Sequence, residues 1–269
     1  MHTVFRFLRQ LLLTVLLLAL LTLVAAGGYF AVTGHKLYES AIQVTPIDTL
    51  YSSISSREGF VPYAQLPQTY INAVISAEDS RFTHHKGVDP VSIARALVTD
   101  LRTGSFAEGG STITQQLAKL THLSAEKTIR RKLEEINLAF QIEKVYNKDE
   151  ILAMYLNTVY FGRGAYGIQA AAQAYFGVDA EDLTLNQSAS LAAIIKAPSI
   201  YAPHISPSNN RSRRQYILSV MAENGFISQE EKQAALDESI WVLAQEAEKQ
   251  LYSWYIDEAL RESAELLGL

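Results

Sequence analysis

Asn147-Lys148-Asp149-Glu150-Ile151-Leu152-Ala153-Met154-Tyr155-Leu156-Asn157 sets a capping residue, and a glutamate three positions later, ahead of an unbroken apolar run. The asparagine side chain can accept from the free N–H three residues on while the glutamate reaches back to the N–H of the cap, so this spacing marks the start of a buried helix. The same signature recurs at Thr184 with Gln187 and at Ser228 with Glu231. Asp89-Pro90 adds another start, a cap followed by proline at the first helical position, leading into an apolar stripe at Ile93, Ala94 and Leu97. The chain therefore reads as mainly α. Working outward, residues 34–65 read as a mixed connector with short β-like pieces such as Thr49-Leu50-Tyr51, and residues 104–110 as a glycine-rich mobile loop. Past Pro207 the pattern gives amphipathic helices over 208–224, ending at Gly225, then 229–237 and 243–266.

The N-terminus carries a different signal. Leu11 to Thr33 runs without a charge and is long enough to cross a bilayer core of roughly 30 Å. Arg6 and Arg9 precede it, and the positive-inside rule keeps them in the cytoplasm and places the chain after Gly34 on the far side. Val24-Ala25-Ala26 also fits a signal-peptide cleavage site, but the apolar run continues through Tyr29, Phe30 and Val32, which favours an uncleaved single-pass anchor. The 269 residues carry a net charge of −5 and no cysteine, which excludes disulfides, thiol catalysis and cysteine-based zinc sites. Acids are mixed among the bases between Arg95 and Lys148, so no nucleic-acid surface is expected.

Three segments offer chemistry. Glu78-Asp79-Ser80-Arg81-Phe82-Thr83-His84-His85-Lys86-Gly87 follows the apolar run Ile71 to Ala77, and a carboxylate at the end of a buried helix suits a general base or acid. Gly109-Gly110-Ser111-Thr112-Ile113-Thr114-Gln115-Gln116-Leu117-Ala118-Lys119 puts backbone N–H groups, hydroxyls and amides at a helix start, where a phosphate or sugar finds donors, although Ser111 or Thr112 also serves as an ordinary cap. A helix from about Ala125 to Tyr146 shows a core stripe at Ile129, Leu133, Ile136 and Phe140, with Arg131 and Lys132 one turn before Glu135. Taken alone, that last group reads as a surface salt-bridge ladder.

Other patterns lead nowhere. Gly162-Arg163-Gly164-Ala165-Tyr166-Gly167 fits G-x-G-x-x-G but follows a helix rather than a strand, so it is no dinucleotide site. Ser124-Ala125-Glu126-Lys127 and Ser208-Asn209-Asn210 imitate two penicillin-binding motifs without the third, K-T-G, and both serines read as helix caps. His84-His85 lacks the spacing of a zinc-binding helix.

In order and spacing, the segments together resemble the family-51 peptidoglycan glycosyltransferases, the transglycosylase domain of class A penicillin-binding proteins and their monofunctional relatives. The first motif is Glu78-Asp79-x-x-Phe82-x-x-His85-x-Gly87, and the second is Gly109 to Gln116. Arg131-Lys132-x-x-Glu135 matches the third, and Ile151-Leu152-x-x-Tyr155-Leu156-Asn157 the fourth. Gly164 to Ile168 with Tyr175-Phe176-Gly177 completes the set, and the likeness covers residues 66–205.

The resemblance implies a mainly α, lysozyme-like domain over 66–205, behind a cytoplasmic tip and transmembrane helix over 1–33 and a connector over 34–65, with a C-terminal helical extension over 206–269. It implies polymerisation of lipid II at the outer face of a bacterial cytoplasmic membrane, with inversion and release of undecaprenyl diphosphate from the glycan strand it carried. Glu78 would be the general base. Glu135 would assist departure of the diphosphate, directly or through a divalent cation, magnesium or manganese. Arg95, Lys119, Lys127, Arg131 and Lys132 would surround the diphosphates, and Asp79, Phe82, His85, Ser111, Thr112, Gln115 and Gln116 would complete the substrate site. The membrane and other cell-wall synthesis and division proteins would be its partners. Leu101 and Phe106 are expected in a jaw that dips toward lipid. Ala153 and Leu120 depart from the family pattern, which commonly has glutamate and asparagine there. Rival readings are a muramidase on the same scaffold, a lipid II-binding scaffold without activity, and the front part of a bifunctional penicillin-binding protein.

Overall fold

The computed structural model describes residues 46–103, 109–123 and 128–243, together with residues 6, 9, 10, 13–15, 17, 18, 21, 22 and 28. The expected membrane span falls mostly outside these residues, as do Phe106, Lys127, the Ser124 to Lys127 motif and the expected helix beyond Leu243. Among the described residues no helix is long and apolar enough to cross a membrane. The mainly α expectation holds: among the described residues there are helices and 3-10 turns, and the antiparallel bridge of Tyr160 with Tyr166 stands outside any strand. The chain divides into two compact units, Met1–Tyr63 with Glu78–Val159, and Ala64–Ala77 with Tyr160–Leu269.

In the first unit a 3-10 turn, Ile47–Thr49, leads into α1, Leu50–Ser55. The β-like reading of Thr49-Leu50-Tyr51 is thus overturned. Leu50 and Ile54 are buried one helical turn apart while Ser52 between them is exposed, whereas a strand would put all three on one face. Helix α2, Gln68–Glu78, belongs to the second unit as far as Ala77, and its last residue, Glu78, is counted in the first. Helix α3, Pro90–Thr103, starts as expected behind Asp89, whose carboxylate accepts from Val91 N at 3.0 Å and from the Ser92 hydroxyl at 2.6 Å. Its expected core stripe is not sealed, because Ala94 is exposed. Helices α4, Ile113–His122, α5, Ile129–Val145, and α6, Lys148–Leu156, pack together. The run Ile151 to Leu156 is entirely buried at the centre, behind the capping box of Asn147 and Glu150.

Helix α5 corrects the sequence reading twice. It begins at Ile129 rather than near Ala125, because Thr128 is extended and accepts from Arg131 N at 3.1 Å as the N-cap. Its inward face is Glu135, Leu138, Ala139 and Ile142, whereas Ile129 and Phe140 of the expected stripe are 78% and 44% exposed. Both sets have helical spacing, so apolar periodicity does not choose between them. A close approach does: Gly87, at φ +90°, lies against the α5 backbone, and a Cβ there would come within 2.9 Å of the carbonyl carbon of Ala139. Only glycine facing a small residue permits that contact, and it fixes the rotation of the helix.

The second unit is built around α8, Leu185–Ile195, nearly all of it buried. Helix α7, Ile168–Phe176, α9, Pro198–Tyr201, and α10, Pro207–Glu223, pack on α8, and α11, Gln229–Asp237, packs on α8 and α10. The capping boxes at Thr184 and Ser228 form as expected. Ser208 is not a cap; Ser206 holds that position and accepts from Asn209 N, with Pro207 as the first helical residue. The glycine-rich loop before α7 turns through positive φ at Gly162, Arg163, Gly164 and Gly167, and among the described residues no strand precedes it.

Candidate active site

The first unit builds its site on the N-terminus of α4. Thr112 caps the helix, accepting from Gln115 N at 3.1 Å while its own N–H donates to Gln115 Oε1 at 3.0 Å. Its hydroxyl also donates to the carbonyl of Gly87 at 2.6 Å, which draws the first motif onto the second. Asp79 is buried, and its Oδ2 accepts from Ile113 N at 3.0 Å, where the helix dipole favours negative charge. His85 Nε2 lies 2.9 Å from the same oxygen and 3.0 Å from the other, so the histidine is committed to Asp79. Phe82 meets the His85 ring edge-on with Lys148 Nζ 4.3 Å from its centroid, and Lys148 pairs with Glu143, which also accepts from the Thr114 hydroxyl at 2.6 Å. The buried members Asp79, Phe82, His85, Thr112 and Gln115 thereby lock residues 79–87 against α4 and α5.

Glu78 is held differently. It is half-buried, and its Oε2 accepts from Gln116 Nε2 at 3.0 Å. Gln116 Oε1 in turn accepts from the Tyr155 hydroxyl of α6 at 2.8 Å.

Glu135 is 3% exposed, so the expected surface ladder is instead a buried carboxylate held by two partly exposed cations. Arg131 donates to one of its oxygens at 2.9 Å, Lys132 donates to the other, and Lys132 also donates to Ser111 Oγ at 2.8 Å. An uncompensated carboxylate at this depth would be costly, and two cations offset that cost. Lys132 joins Glu135 to Ser111, and Gln116 joins Glu78 to the next turn of the same segment, so both carboxylates are tied to residues 111–116. Lys119 is exposed one turn beyond Gln116, and Arg95 is exposed on α3. The side chains of both are without hydrogen bond or ion pair among the described residues.

At Asp89, burial would raise the carboxyl, but hydrogen bonds from Ser92 and Val91 and the charge of Arg81, 3.0 Å away, outweigh it and hold the group below the ordinary carboxylate value. No comparable account exists for a divalent ion beside Glu135. Both of its oxygens face cationic donors, and among the described residues no group of three or more histidines, aspartates and glutamates stands together. The protein side chains there do not by themselves make a metal site. In the second unit, a shallow cavity of about 340 Å³ is lined by Tyr201, Asn209, Ser212, Arg213 and Tyr216 and holds no carboxylate.

Sequence reasoning missed Tyr155, Glu143, Lys148 and Thr114 as parts of this arrangement. Tyr155 stands in the fourth motif, yet nothing local tells that its hydroxyl reaches Gln116, 39 positions away.

The first unit thus ties two glutamates to one capped, donor-rich helix start, one beside a neutral amide and one between cations. The family model described as Transglycosylase matches residues 45–222, and the chain belongs to that family. Penicillin-binding protein 1F of Bacillus subtilis is 37% identical over 267 residues, 95% of this chain and 37% of that protein. Penicillin-binding protein 1A of Pseudomonas aeruginosa is 44% identical over 208 residues, 77% of this chain and 25% of that protein. A crystal structure of penicillin-binding protein 1A from Haemophilus influenzae aligns at 32% identity with a TM-score of 0.38, covering 58% of this chain and 20% of that one. The chain spans less than half the length of these relatives.

Proposed function

We propose that this chain is a peptidoglycan glycosyltransferase of lysozyme-like fold that polymerises lipid II. The observation that carries the reading is the tie of Glu78 and Glu135 to the same stretch, Ser111 to Gln116, with opposite kinds of partner. Glu78 takes the proton from the 4-hydroxyl of the acceptor N-acetylglucosamine as that oxygen attacks the anomeric carbon of the strand's terminal sugar. The bond from that carbon to the diphosphate breaks on the opposite face, the linkage inverts from α to β, and undecaprenyl diphosphate leaves with the electron pair. Arg131 and Lys132, held in place by Glu135, receive the developing charge, with Ser111 as a neutral donor and Lys119 and Arg95 as exposed cations able to meet the second diphosphate. A divalent ion would enter such a site on the diphosphate's own oxygens, and no step depends on it. The uncharged run from Leu11 to Thr33 suits a single membrane pass that keeps the domain at the extracytoplasmic surface, where a lipid-linked substrate resides.

Incubating the membrane-anchored protein with lipid II tests this. The expected product is a ladder of glycan polymer with undecaprenyl diphosphate released in step. Shortening of added glycan strands would establish the muramidase instead, and binding of lipid II without any product would leave a scaffold.

A further inference from the structure

Tyr155 has no part in the chemistry above, yet it stands at the far end of a hydrogen-bonded chain that finishes on the base. It is fully buried, on a helix whose residues Ile151 to Leu156 are all buried, so its hydroxyl is a fixed point. The hydroxyl donates to Gln116 Oε1 at 2.8 Å, and Gln116 Nε2 donates to Glu78 Oε2 at 3.0 Å. A glutamine amide has two ends of similar size and opposite chemistry, one accepting and one donating. Turned over, it would present its oxygen to the Glu78 carboxylate, an acceptor facing an acceptor. The carboxylate fixes the direction at one end of the chain, and the phenol hydroxyl, a donor throughout the physiological range, fixes it at the other.

We propose that Tyr155 is a positioning residue for the reaction: acting through Gln116, it holds the Glu78 carboxylate in the orientation that meets the acceptor hydroxyl. This rests on Glu78 being the general base. It gives Gln116 a task distinct from gripping substrate, and it gives the buried tyrosine of the fourth motif a reason beyond packing. A base displaced by a fraction of an ångström loses rate more than affinity, because orientation is realised in the transition state. Losing a donated hydrogen bond also favours the protonated form of a carboxylate. The charged groups nearest in the chain and on α4, Asp79 paired with His85 and the exposed Lys119, are untouched by a change at Tyr155.

The test is Tyr155→Phe in the full anchored chain, which keeps the ring and removes only the hydroxyl. With lipid II as substrate, kcat should fall by about tenfold with KM within about twofold, and the acid limb of the kcat/KM profile should move to higher pH. Gln116→Ala should behave alike, and the double variant should be no worse than either single one, because the two residues act as one chain. An unmoved acid limb, effects that multiply, or a rise in KM alone for Gln116→Ala would overturn the proposal. Infrared titration of isotope-labelled glutamate, with Glu78→Gln identifying its band, needs no turnover. The Glu78 band should titrate at higher pH in Tyr155→Phe, and an unchanged titration overturns the proposal even if the wild type makes no polymer. Failure of the wild type to polymerise lipid II would count against the glycosyltransferase reading instead.

Discussion

Glu78 and Glu135 are the same side chain in two opposite settings. Glu78 ends a helix, is half-buried, and accepts from a neutral amide. Glu135 sits in the middle of a helix, is almost wholly buried, and lies between a guanidinium and an ammonium. The difference teaches what each can do. A carboxylate beside a neutral donor remains available to a proton from substrate, whereas one that holds two cations serves best as their anchor, aiming them and Ser111 at an anionic ligand. The depth of Glu135 also makes it part of the core, so its loss should disturb folding as well as chemistry, while the loss of Glu78 should disturb chemistry alone.

The largest effect that would break or sharpen this contrast is expected from Glu78→Gln. Polymerisation should fall by roughly 10²- to 10⁴-fold, the usual worth of a positioned general base, with the thermal midpoint almost unchanged. A drop in the midpoint comparable to that of a core variant would show that Glu78 is structural. Glu135→Gln comes next: turnover should fall by about 10²-fold, and loss of the buried carboxylate between two partly exposed cations should cost about 1.5–3 kcal/mol, read as a midpoint lower by roughly 5–10 °C. A fully stable variant would show that the cations do not need it. Gly87→Ala touches no reacting group, yet its Cβ would press on the α5 backbone from a positive φ, so urea unfolding should report a loss of about 2–3 kcal/mol. The smallest effect concerns acid stability. Asp89 is held below the ordinary carboxylate value in the folded chain, so the stability it contributes is present above about pH 4 and is lost as pH falls through its folded pKa. Asp89→Asn should flatten that acid limb of the stability curve and leave neutral-pH turnover in place.

Helix starts were legible in the sequence because capping is local chemistry. Asn147, Thr184 and Ser228 each carry the donor and acceptor of their box within four residues, and all three boxes form. The same local logic picked out Glu78 and the Ser111 to Gln116 segment. What lay beyond it was set by partners distant in the chain. The face that α5 buries depends on Gly87 approaching Ala139, and without that contact the stripe through Ile129 and Phe140 was the better periodic choice. Glu135 looked like a member of a surface ladder because i,i+4 spacing is identical on buried and exposed faces, and only packing against α4 settles which it is. Thr49-Leu50-Tyr51 misled because three residues, two of them β-favouring, are too few to show a period.

The division of labour is tested most directly by the pH dependence of the residual polymerisation of lipid II in Glu78→Gln and Glu135→Gln, measured side by side with the wild type. The account predicts that Glu135→Gln keeps the wild-type acid limb at a lower plateau, while the trace activity of Glu78→Gln no longer rises through that range. An acid limb that survives in Glu78→Gln and vanishes in Glu135→Gln would assign the proton to the other carboxylate and contradict it.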